Sequence, residues 1–147
     1  MPKVQRNIDV VWEGNVARGN GTFQGGTGAL SGLPFSLATR VGSPEGKTSP
    51  EELVAAAHAA CFAMSLSGVL TRAGTPPDRL EANAVVTLDQ VGDAHQITTV
   101  DLTVVGHVAG IDDETFQQAA RDAEQGCTIS HLVRATAKVT LDATLAS

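Results

Sequence analysis

The chain predicts an α+β fold, with residues 1–147 forming a single domain. Three observations carry that prediction. Short apolar alternations separated by Gly-rich turns fill the first 47 residues. Two later segments carry helix caps around helix-forming residues. Long alternating stretches follow each of those segments.

In the N-terminal region, Ile8, Val10 and Trp12 alternate with Asp9, Val11 and Glu13, and EGNVARGNG supplies the turn residues that follow. Phe23, GGTG and LPFSLATRV continue the pattern, so three strands in an antiparallel meander are expected, the last ending at Arg40. The segment 49–73 is the clearest helix. Ser49 can cap it, Pro50 suits its first position, and Glu52 stands three residues after Ser49, as in a capping box. Alanines raise its propensity, and Gly74 before TPP ends it. Apart from His58, Ser65, Ser67 and Thr71 it is small and apolar all round, which predicts a place at the centre of the domain. It reads as too short and too charged at its ends for a membrane span.

EANAVVTLDQV and HQITTVDLTVVGHV then read as two strands joined by GDA in a hairpin. A second helix starts at IDDETF. Asp112 can cap it, Ile111 and Phe116 have staple spacing, and Asp113 and Glu114 complement the helix dipole. It stops at Gly126, and Cys127 and a short helical turn, TISHLV, come next. In the last strand Val139, Leu141, Ala143 and Leu145 face inward while Lys138, Thr140, Asp142 and Thr144 face out.

Composition narrows the function. A net charge of −6 with only ten scattered Lys and Arg supplies no basic stripe for nucleic acid. No leader or membrane segment is expected, and the protein is expected in the cytoplasm. Four Phe, one Trp and no Tyr leave a core of Val, Leu, Ala and Ile, which favours burying further surface in a dimer. Two cysteines do not make a secreted disulfide framework, and in a reducing compartment such a pair points to catalysis, redox chemistry or metal.

Three readings of Cys61 and Cys127 stand side by side. Cys61 can be a small hydrophobe in a core helix, in a non-catalytic ligand-binding protein. His58 with Cys61, and Cys127 with His131, have helical spacings that could build a structural Cys2His2 zinc site, though neither matches a CxxC knuckle. Thiol redox chemistry is the third reading, and it needs a thiolate, a cation beside it and a second thiol. Arg18, Arg40 and Lys47 are candidate cations, whereas Arg72 lies three helical turns beyond Cys61. Arg40 precedes Glu51 by one loop, and a carboxylate fork there would orient the guanidinium. Glu52 is read as complementing the helix dipole.

WEGNVARGNGTF, PFSLATR, SPEELVAAAHAACFAMSLS, AEQGCTIS and KVTLDATL together resemble, in order and over essentially the whole chain, the OsmC/Ohr family of hydroperoxide reductases, in its OsmC branch. The resemblance implies an OsmC-like fold with antiparallel sheets wrapped around central helices in an intertwined homodimer. It also implies reduction of organic hydroperoxides to alcohols without metal, haem or flavin. By the resemblance Cys61 is the peroxidatic cysteine, Cys127 the resolving one, and Arg40 and Glu51 hold the thiolate. The Ohr branch draws its arginine from the first hairpin, near Arg18. The expected partners are a hydroperoxide and an external dithiol or lipoylated reductant. Thr128 departs from the Pro often found after the second cysteine. Leu53, Phe62, Met64 and Leu66 are expected to wall the Cys61 site and favour alkyl or lipid peroxides.

Overall fold

Short strands form where the sequence alternates, and they form two separate three-stranded sheets. The computed structural model describes residues 3–147. Its chain divides into two compact units, one ending at Leu53 and one running Val54–Ser147.

In the first unit, β1 (Ile8–Glu13), β2 (Asn20–Gly25) and β3 (Leu33–Phe35) make the expected antiparallel meander. Gly21 of β2 pairs with both Trp12 and Phe35. A Cβ there would come within 2.3 Å of the Phe35 ring, so only glycine lets that ring lie over the strand. Phe35 packs on Phe23 and Trp12 at centroid distances of 4.3 and 5.7 Å. The third strand is shorter than its sequence suggests. Ser36 caps a one-turn helix, α1 (Leu37–Val41), by accepting from the Thr39 N–H, so Arg40 sits on a helix and not at a strand end.

The helix α2 (Pro50–Arg72) starts as its sequence requires, with the Glu52 N–H donating to Ser49 Oγ. The reciprocal half of the capping box is absent: the Glu52 carboxylate accepts from the Thr48 hydroxyl at 2.6 Å instead. At the other end the N–H of Gly74 bonds to the Thr71 carbonyl and that of Thr75 to the Leu70 carbonyl, the Schellman pattern.

In the second unit, β4 (Arg79–Val91) and β5 (Ala94–His107) form the long hairpin, and β6 (Lys138–Leu145) pairs with β5 in parallel. The expectation of antiparallel sheets holds for the other pairs and is corrected for this one. Its cause is the connection: α3 (Asp113–Gly126) and α4 (Thr128–Arg134) carry the chain back along the sheet before β6 begins, as a parallel crossover must. Asp112 caps α3 by accepting from the Thr115 N–H at 2.8 Å. Alternate β5 residues Val100, Leu102 and Val104 are buried with Phe116, Ala119, Ala120 and Ala123 of α3.

α2 contributes one stripe to this core, His58, Phe62, Leu66 and Leu70, spaced four residues apart. Most of its other positions are half-buried, and Met64 is 70% exposed. The apolar helix is thus buried along one stripe and not all round. At 23 residues it also has the length and hydropathy of a membrane span, contrary to expectation, although its buried stripe packs in the protein core.

Gly106 of β5 lies under the Phe116 ring, 2.3 Å from where a Cβ would fall. Gly106→Ala is expected to lower unfolding free energy by about 1–3 kcal/mol through overpacking. Urea denaturation checks this, and adding Phe116→Leu should return part of the loss.

Candidate active site

The four predicted site residues fall into two pairs, one in each unit. In the first, the Arg40 Nε donates to both carboxylate oxygens of Glu51 at 3.0 and 3.1 Å, and one terminal nitrogen donates to Oε1 at 2.6 Å. Glu51, not Glu52, thus pairs with Arg40. The hydrogen bonds to Glu51 push the already high pKa of Arg40 further up, against partial burial. Arg18, the alternative cation, is exposed in the β1–β2 turn and joins none of the ion pairs among the described residues. Beside Arg40 an apolar hollow is lined by Trp12, Val16, Phe35, Leu37 and Pro50. These residues were not singled out in sequence, because their convergence depends on strand register.

In the second unit Cys61 and Cys127 are both free thiols. Cys61 directly precedes the buried Phe62, so it stands at the edge of the core stripe and is only half-buried. Burial pushes its thiol up. The amide of Ile129, the Cys127 thiol, and the amide and hydroxyl of Thr128 face its sulfur and together outweigh burial, holding it below the ordinary thiol pKa. Cys127 is buried and caps α4, accepting from the Ser130 N–H at 3.5 Å. Burial first, then the neighbouring Cys61, push its thiol up, against donation from Ser130. The two thiols are thus shifted in opposite directions, Cys61 down and Cys127 up.

His58 is the core histidine that its sequence context suggested. It is fully buried, with Nε2 at 2.6 Å from Ser130 Oγ. Glu124 and Arg134 form a further ion pair that ties α3 to α4. Of the residues in the zinc alternative, His58 bonds through Nε2 to Ser130 Oγ and His131 is exposed. Among the described residues no three His, Cys, Asp or Glu are grouped to hold a metal ion. The expected walls also need correction. Phe62 and Leu66 are wholly buried in the core, and Met64 is exposed. Sequence reasoning missed Ser130 and the role of Thr128. The available signal was the polar run CTIS at the start of a helical turn.

Residues 42–142 match the model of the OsmC-like protein family. The chain is 41% identical over 136 residues to peroxiredoxin OsmC of Escherichia coli K12, covering 92% of this chain and 93% of that one. Its fold resembles the organic hydroperoxide resistance protein of Elizabethkingia anophelis (TM-score 0.75, 23% identity, 99% and 100% coverage). A further likeness is to the organic hydroperoxide resistance protein OsmC of Legionella pneumophila (TM-score 0.74, 21% identity, 97% and 99% coverage).

Alkylation near neutral pH is expected to label Cys61 well before Cys127, with a rate that rises with pH to a midpoint below that of an ordinary thiol. Thr128→Pro removes one N–H and one O–H donor, so the Cys61 midpoint should rise and labelling at pH 7 should slow. Rate–pH profiles with iodoacetamide, read by mass spectrometry, check both.

Proposed function

The chain belongs to the OsmC-like protein family, and from that premise we propose that it is a thiol-dependent peroxidase reducing organic hydroperoxides to alcohols. The observation that carries the reading is a pair of free thiols in different settings, Cys61 half-buried on α2 and Cys127 buried at the cap of α4, with their pKa values shifted down and up respectively. The Cys61 thiolate attacks the terminal oxygen of ROOH, the O–O bond breaks, and the alkoxide leaves as alcohol after taking a proton. Cys61 is left as a sulfenic acid. Cys127 condenses with it to a disulfide, releasing water, and an external dithiol, a small thiol or a lipoyl group, reduces the disulfide by exchange. This cycle uses no metal, haem or flavin.

Arg40, held in the Glu51 fork, is the cation we assign to the thiolate and to the charge developing on the peroxide oxygens. The apolar hollow beside Arg40 suits an alkyl substituent better than hydrogen peroxide, which supports an organic substrate. We read residues 1–147 as one OsmC-like domain working as a homodimer in the cytoplasm. The half-buried and exposed apolar positions of α2 support the dimer, because such a face is stabilised by a second copy.

With t-butyl hydroperoxide and a dithiol, the parent protein should consume peroxide and Cys61→Ser should not. Arg40→Ala and Glu51→Gln should each lower kcat/KM, the arginine change by about 10²-fold. Cys127→Ser should complete one turnover and then over-oxidise at Cys61, seen as a mass gain of two or three oxygens. Peroxide consumption that survives loss of Cys61 would sink the proposal.

A further inference from the structure

His58 has an arrangement that a filler residue does not need. Its ring is fully buried, Nε2 lies 2.6 Å from Ser130 Oγ, and Nδ1 has no hydrogen-bond partner among the described residues. Ser130 is itself fully buried. The orphan nitrogen decides the tautomer. If Nδ1 carried the hydrogen, a buried donor would go unpaired, which is costlier than leaving a lone pair unpaired. The hydrogen therefore belongs on Nε2, which donates to Ser130 Oγ. That leaves the Ser130 hydroxyl hydrogen free, on a residue whose own N–H donates to the Cys127 sulfur at 3.5 Å.

We propose that His58 is a positioning residue for disulfide formation, orienting the Ser130 hydroxyl so that the Ser130 N–H and O–H both face the Cys127 sulfur. The inference rests on the two-cysteine reading above. In that step Cys127 attacks as a thiolate on the Cys61 sulfenic sulfur. The S–S bond forms, the S–O bond breaks, and the departing hydroxide leaves as water with the proton that Cys127 gave up. The Cys127 sulfur is oxidised and the sulfenic sulfur reduced by equal amounts, so no other reactant is required. Cys127 is buried and otherwise held protonated, so two oriented donors matter most at the moment its charge develops.

The charges around His58 suit a neutral ring. Burial holds its pKa down, Glu124 of α3 opposes this and Arg134 of α4 assists it. Glu124 and Arg134 are paired with each other, which leaves little net field at the ring. Protonation would also place a second N–H at Nδ1, where no acceptor waits. Burial and the lack of an acceptor at Nδ1 thus both favour the neutral ring with its hydrogen on Nε2.

The test uses rapid quench of the full-length protein after one equivalent of t-butyl hydroperoxide, with sulfenic acid trapped by dimedone and disulfide counted by mass spectrometry. In His58→Leu and Ser130→Ala, the ratio of disulfide formation rate to sulfenic acid formation rate should fall about tenfold. The pH midpoint of disulfide formation should also move up. His58→Gln, which keeps an N–H donor, should restore most of both. The double variant His58→Leu/Ser130→Ala should be no slower than either single one, because the two act as one unit. An unchanged ratio and midpoint in Ser130→Ala would overturn the inference even if His58→Leu fails to fold. So would equal slowing of both steps, or additive losses in the double variant. A parent protein that forms no Cys61–Cys127 disulfide would overturn the two-cysteine reading along with this one.

Discussion

Burial of a single stripe of α2 is the constraint on which the second unit depends. His58, Phe62, Leu66 and Leu70 repeat every four residues and point into the core formed with β5, α3 and α4. Packing that line fixes the rotation of the helix about its axis. Cys61, one residue before Phe62, then falls about 100° from the centre of the buried face. Cys61 is left half-buried at the edge of the core. A rotation that buried Cys61 fully would raise its pKa and close it off. Full exposure would strip away the amide donors.

The same stripe sets the polar contacts. His58 enters the core only because Ser130 takes its Nε2, since an unpaired buried imidazole would be expensive. Ser130 lies in the first turn of α4, so this bond ties α2 to the turn that presents Thr128 and Ile129 to Cys61. On the other side Arg134 pairs with Glu124, holding α4 against the end of α3. Cys127, between the two helices, therefore has little freedom. Hydrophobic burial supplies the stability, and a few satisfied polar groups supply the position.

Much of this was legible locally. Ser49, Asp112 and Gly74 announced helix ends through side-chain and backbone bonds that reach only a few residues. Glu51 was separable from Glu52 as the arginine partner because the two project on different sides of the first turn. Arg40 was misplaced on a strand because Leu37, Thr39 and Val41 mimic alternation. Ser36 as a cap was the overlooked signal. The parallel pairing of β6 was also missed, although some thirty residues holding two helices separate it from β5, and only a crossover needs such a connection.

By itself the sequence determined the order of elements, the capped helices, the two thiols and the carboxylate that pairs with Arg40, since each depends on near neighbours or on periodicity. Tertiary structure decided the different surroundings of the two thiols, Cys61 half-buried and Cys127 buried. Cys61 and Cys127 have the same intrinsic chemistry, and the difference between them comes from burial and from donors brought together across the fold. It also decided that His58 meets Ser130, 72 positions away, and that Trp12 and Phe35 converge beside Arg40. Electrostatic effects act over a few ångströms of space, and no local pattern in the chain encodes those distances.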